Sequence, residues 1–234
     1  EARKKKLSIE DVDALTGTLI GRPKSATFRT SDIVGLDTMC FVANTAYKKC
    51  TDDQERNIFK IPNYLQKMVE NGWLGQKSKQ GFYKKIDKGV IHSIDLETLD
   101  YKPMHKKKYA AFALAKEKTY LRDKLHTIIR CDDVAGEFLW SVMSKSLLYA
   151  ANNIGSIADD IVAVDNALKW GFGWDLGPFE VLDAIGLEYF VERVKSEGNT
   201  VAPWISDMLS SGFTSMYVLL DGKKEYYSIN DKNY

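Results

Sequence analysis

The sequence predicts a mainly α fold: two tandem, diverged copies of one helical unit, each followed by a short β-hairpin. Three observations predict it. Apolar residues recur at spacings of three and four between glycine stops, the helical period. Two stretches, near residues 81–95 and 217–227, break that period and have the aromatic and turn content of short strands. Finally, Ile9, Val12, Asp13 and Gly21 reappear as Ile161, Val164, Asp165 and Gly173, a constant offset of 152. Phe28, Asp32, Gly35, Leu36 and Asp37 reappear as Phe179, Asp183, Gly186, Leu187 and Glu188 at an offset of 151. Preserved order at a nearly fixed offset marks a duplication.

The elements follow in order. Ser8 precedes Ile9, Val12 and Leu15 and acidic first-turn residues, the pattern of an N-capped amphipathic helix. Gly17, Gly21 and Arg22-Pro23 make a loop. A short helix from about Ser25 stops at Gly35, and another, with Asp37 placed to cap it, runs to about Lys48. Ile61–Asn71 is a helix with Leu65, Met68 and Val69 inward, stopped at Gly72. Gly81-Phe82-Tyr83 and the stretch from Gly89 to Asp95 are short strands. The lysine-rich residues 101–118 are the candidate linker, with helix signals resuming near Tyr109. Leu139, Met143, Leu147, Ala150 and Ile154 form one stripe of a long helix. Helices follow at about 158–170, from Gly177-Pro178 to Gly186, at 187–196 and at 202–210. Asp221-Gly222 between Tyr217-Val218-Leu219 and Tyr226-Tyr227 signals a hairpin. The domain boundaries expected are 1–105 for a first helical domain with short strands, 106–131 for a linker and helix, and 132–234 for a second helical domain.

Composition narrows the function classes. At 234 residues with 44% hydrophobic and 12% aromatic content, the chain can fill one sizeable core or two modest ones. No apolar run approaches the roughly 20 residues that span a bilayer, and nothing at the N-terminus has the pattern of a signal peptide. Cys40, Cys50 and Cys131 form no CxxC pair, which fits a reducing cytoplasm and gives no metal site. Residues 1–130 carry 26 Lys+Arg against 16 Asp+Glu, and residues 131–234 carry 7 against 16. That asymmetry suggests two units. The lysines form no continuous basic stripe with interleaved aromatics, so nucleic acid is not an expected partner. The chain begins at Glu1 without a Met, so a fragment or a processed product is the expectation.

Three motifs in order carry a resemblance. Thr16–Asp37, TGTLIGRPKSATFRTSDIVGLD, is similar to a signature of large 3-hydroxyacyl-CoA dehydrogenases of fatty-acid β-oxidation. Gly75–Tyr83, GQKSKQGFY, resembles the G-x-K-[ST]-G-x-G-F-Y segment that closes the first helical copy. Gly173–Leu187, GWDLGPFEVLDAIGL, resembles the G-x-P-x-G-P-F-E-L-x-D-x-x-G-L signature of the C-terminal domain. Lys79 stands where that family has Gly, and Asp175 where it often has Pro, so each loop conformation there is a point to check.

The resemblance implies the C-terminal tandem helical domains of a long-form dehydrogenase, the first truncated at its start. The parent oxidises a 3-hydroxyacyl-CoA to a 3-ketoacyl-CoA with NAD. Its partners would be the acyl-CoA substrate, its own N-terminal Rossmann domain, a second subunit in a homodimer and a fused enoyl-CoA hydratase domain. The helical region closes over the acyl chain and forms the dimer contact.

The residues present set limits on that inheritance. No G-x-G-x-x-G occurs, so no NAD site is expected in this chain. His92, His105 and His126 lack the context of a catalytic base. The family's active-site Asn would precede Glu1, and Trp140 stands at its place in the second copy. No catalytic residue is therefore expected, and the chain alone should be inert. Arg22, Lys24, Ser25 and Phe28 are the candidates to face substrate or the cofactor domain, the cations toward phosphate and Ser25 as a helix N-terminal contact. The structural alternative has Ser25 capping the helix and Arg22 paired with an acid. Gly177, Pro178, Phe179 and Asp183 form the second copy's structural motif. The competing function is a free-standing, non-catalytic helical module that binds acyl-CoA or a protein partner.

Overall fold

The computed structural model describes residues 1–105 and 107–234, with residue 88 described by its backbone. The chain divides into two compact units, one of Ala2–Thr18 and Lys24–Lys107, the other of Glu1, Leu19–Pro23 and Lys108–Tyr234. The fold is mainly α with small antiparallel sheets. The linker expected at 106–131 starts at Lys106, which lies outside the described residues.

The N-terminal unit opens with α1 (Ile9–Thr16). Ser8 caps it: the Asp11 N–H donates to Ser8 Oγ at 3.3 Å, and the Ser8 N–H donates to the Asp11 carboxylate at 3.0 Å. Two of the four orphan donors of a helix start are satisfied by this reciprocal box. Helix α2 (Phe28–Val34) stops at Gly35, whose φ of 100° suits only glycine, and α3 (Leu36–Lys49) follows at once. Asp37 therefore lies inside α3 and not at its cap, where it pairs with Lys77 at 2.6 Å. Helix α4 (Asn63–Glu70) buries Leu65 and Met68. Strands β1 (Tyr83–Lys85), β2 (Ile91–Ile94) and β3 (Tyr101–Pro103) form an antiparallel meander in that order. The expected hairpin is thus a three-stranded sheet, its third strand drawn from the stretch whose lysines pointed to a linker. Ile9, Leu36, Met68, Phe82 and Ile94 meet in one core, so helices and sheet bury their apolar faces against each other.

The C-terminal unit contains α5 (Ala110–Lys116), α6 (Leu121–Ile129) and α7 (Val134–Asn152). Asp133 accepts from Gly136 N at 2.8 Å, capping α7, and from Ala111 N at 3.0 Å, tying α5 to it. Leu139, Met143 and Leu147 are buried as expected, and the stripe continues at Ala151, not Ala150. Then come α8 (Ile161–Phe172), α9 (Pro178–Ile185), α10 (Leu187–Ser196) and α11 (Pro203–Ser210). The hairpin β4 (Tyr217–Leu220) and β5 (Lys223–Tyr226) closes through Asp221 and Gly222, with φ of 49° and 77°. Positive φ at both central residues gives the turn whose twist matches the strands. No helix among the described residues is long and apolar enough to cross a membrane.

Candidate functional site

Each repeat is organised around a carboxylate, half-buried in the first copy and buried in the second, that caps a helix belonging to a later part of the chain. In the N-terminal unit Asp13, on α1, accepts the N–H groups of Thr27 (3.0 Å), Phe28 (2.6 Å) and Arg29 (3.0 Å), and the Tyr83 hydroxyl at 2.8 Å. In the C-terminal unit Asp165, on α8, accepts from Phe179 N (2.8 Å), Glu180 N (3.1 Å) and Tyr217 Oη (2.8 Å). A second carboxylate completes each network. Asp32 accepts from Phe82 N and Tyr83 N, and Asp183 from Met216 N and Tyr217 N. The two networks are the same construction made twice.

Electrostatics follow from burial. Desolvation pushes Asp13 and Asp32 up, opposed by their backbone donors. It pushes Asp165 and Asp183 further, to about 6. Tyr83 and Tyr217 are raised by burial and by the neighbouring carboxylates, so both stay protonated donors. Burial also raises Glu180, but Lys224 at 2.5 Å, the Gly177 N–H and Lys169 at 3.1 Å outweigh it and hold the carboxyl below its ordinary value. A carboxylate with two lysines and a backbone donor is charged and satisfied.

The candidate residues distribute as follows. Ser25 is not at a helix start: α2 begins three residues later, and the N-terminal donors go to Asp13. Ser25 Oγ instead accepts from the Thr30 hydroxyl at 2.8 Å. Phe28 stacks on Phe82 with ring centroids 4.6 Å apart, and Lys24 is exposed. Arg22 belongs to the C-terminal unit, where its guanidinium lies 4.0 Å from the centroid of the Trp174 ring. Among the described residues no carboxylate lies within ion-pair distance of it. Burial lowers it to about 10, which leaves it charged at neutral pH. Arg22 and Trp174 occupy equivalent repeat positions, 152 apart. The Asp175 N–H donates to the Gly21 carbonyl at 2.8 Å, a bond the proline expected there could not make.

In the second copy's motif Gly177 caps α9, Pro178 starts it and Phe179 is fully buried. Gly177 has no room for a side chain, since a Cβ would collide with Asp165. Lys79 does adopt the left-handed backbone, at φ 61° and ψ 12°. Trp140 is buried, donates to Glu197 at 2.6 Å and carries the Arg193 guanidinium 4.2 Å from its ring centroid. That position is packing with a satisfied indole N–H. The first N–H groups of α2 and α9 are thus consumed internally by Asp13 and Asp165, which leaves neither start open to an anion.

Sequence reasoning had Asp13, Asp32, Asp165 and Asp183 as repeat positions but not as caps. The signal was there: acids kept at the fixed offset of the repeat.

Residues 2–85 match the family described as 3-hydroxyacyl-CoA dehydrogenase, C-terminal domain. A probable 3-hydroxyacyl-CoA dehydrogenase of Bacillus subtilis (strain 168) is 47% identical over 219 residues, which is 94% of this chain and 28% of the relative. The chain belongs to the 3-hydroxyacyl-CoA dehydrogenase family. A putative fatty acid oxidation complex trifunctional enzyme of Rickettsia prowazekii (strain Madrid E) is 23% identical over 181 residues, 75% of the chain and 24% of the relative. A 3-hydroxybutyryl-CoA dehydrogenase of Mycobacterium tuberculosis (strain H37Rv) is 37% identical over 81 residues, 32% of the chain and 25% of the relative. This dehydrogenase-family chain therefore spans under a third of the length of these relatives.

Proposed function

We propose that the chain is the substrate-covering and dimerising C-terminal region of an NAD-dependent 3-hydroxyacyl-CoA dehydrogenase acting in fatty-acid oxidation. The observation that carries this reading is the apolar surface left open on the unit that bears the family match. Ile33 and Val34 on α2 and Phe41 and Val42 on α3 are each more than half exposed. Large aliphatic and aromatic side chains in that number on two adjoining helices suit a covered surface, whether by an acyl chain, the NAD-binding domain or a second subunit. In the same reading NAD and the general base come from a Rossmann domain. None of the three histidine rings is held by a carboxylate among the described residues, which supports placing the base elsewhere. Arg22 and Lys24 would serve as cations toward that domain or the CoA phosphates, and a fused enoyl-CoA hydratase domain accords with the trifunctional relative.

The test is sedimentation of the purified chain and of Phe41→Asp with and without a long-chain acyl-CoA. The reading expects acyl-CoA binding or self-association that Phe41→Asp weakens at least about tenfold, the cost of burying an unpaired charge. A chain that stays monomeric, binds no acyl-CoA and ignores the substitution contradicts it.

A further inference from the structure

The duplication runs past the helices into the strands, and there the copies part. In the first, Tyr101 Oη donates to the Gly81 carbonyl at 2.5 Å, and in the second, Tyr234 Oη donates to the Ser215 carbonyl at 2.6 Å. The turns before these tyrosines also match. Asp95 N donates to Asp100 O and Leu99 N to Asp95 O, as Ser228 N does to Asn233 O and Lys232 N to Ser228 O. Leu99 and Lys232 share the left-handed backbone, at φ 63° and 55°. Tyr234 thus stands where Tyr101 stands, at the first residue of a strand.

In the first copy that strand, β3, runs along the outer edge of β2, with Tyr101 facing Ile94 and Lys102 facing Ser93, and both Ser93 and Ile94 are buried. In the second copy β5 pairs with β4 alone among the described residues, and Lys223, Lys224 and Tyr226 are exposed. The ladder shows which groups face that edge. Leu220 pairs with Lys223 across the two-residue turn, and Tyr227 N donates to the Met216 carbonyl. Antiparallel bonds alternate, so Lys224 and Tyr226 turn their N–H and C=O groups away from β4.

We propose that the outer edge of β5 is a receptor for a third antiparallel strand that continues from Tyr234, an extended segment of the Tyr-Lys-Pro kind that fills the same slot in the first copy. The occupant follows from continuity. Tyr234 already packs against Tyr227, with ring centroids 6.1 Å apart, and its direction along the edge is set by the turn before it. The first residue beyond it lies opposite Tyr226, and the second opposite Glu225. Proline suits that second place as it does at Pro103, because a strand with an open outer side can lack an N–H there. An edge of this kind gains affinity from main-chain bonds.

Amide exchange at Tyr226, followed by NMR, tests this on the 234-residue chain, on the chain with Lys-Pro-Gly appended and on the chain with Pro-Lys-Gly appended. The Lys-Pro-Gly chain should slow exchange at Tyr226 by about tenfold or more. The Pro-Lys-Gly chain should show clearly less slowing, because proline removes the N–H owed to the Tyr226 carbonyl. Equal exchange in all three chains would overturn the proposal. So would protection in the unextended chain that grows with concentration as it dimerises, which would make a second copy the occupant.

Discussion

Asp13 and Asp165 each cap a helix from outside it, fourteen to sixteen residues away in sequence. That distance is why the role was illegible: capping rules look one turn ahead, and these carboxylates act across a loop. The displaced start of α2 has the same cause. With Asp13 supplying the acceptor, Ser25 is not needed as a cap and the helix begins at Phe28. Burial gives this arrangement a pH signature. Asp165 and Asp183 have a folded pKa of about 6, above the ordinary value of 3.8, so folding takes up protons between those values. Their contribution is fully present below about pH 4 and lost as pH rises through 6. Melting temperatures across that window should therefore fall less steeply with rising pH in Asp183→Asn than in the parent chain. Parallel slopes would show that Asp183 titrates normally. Lys79 is strained by its left-handed backbone, at about 1–2 kcal/mol, against about 0.5–1 kcal/mol for the added freedom of glycine. Lys79→Gly should raise stability slightly in a urea titration, and a loss would show that the lysine side chain contributes more than its backbone costs.

Elements with local grammar were legible. Asp-Gly fixed the C-terminal hairpin, Ser8 the start of α1, and Gly-Pro the start of α9, since each depends on residues a few positions apart. The third strand of the N-terminal sheet was not, because its lysines mask a pairing made with β2 and not with local residues. The α9 start is also the element most exposed to a single change. Gly177→Ala would drive a methyl group into Asp165 and break the capping contact, so we expect a loss of about 2–3 kcal/mol. Retention of full stability in thermal unfolding would mean that the loop yields without cost.

At the scale of the whole molecule, the duplication was readable from offsets alone, and the family from three motifs. The division into units was only half readable. Charge asymmetry marked two, but the assignment of Leu19–Pro23 to the C-terminal unit rests on Arg22, Gly21 and their partners Trp174 and Asp175, contacts no spacing rule anticipates. The candidate site was legible mainly as a set of positions: most of the residues repeated between the copies lock loops and helix starts. Under the proposed function, catalysis is carried out by groups outside this chain. The direct measurement is NADH formation by the purified 234-residue chain given NAD and a 3-hydroxyacyl-CoA. The account expects no turnover above the uncatalysed background, and sustained NAD-dependent oxidation by this chain alone would contradict it.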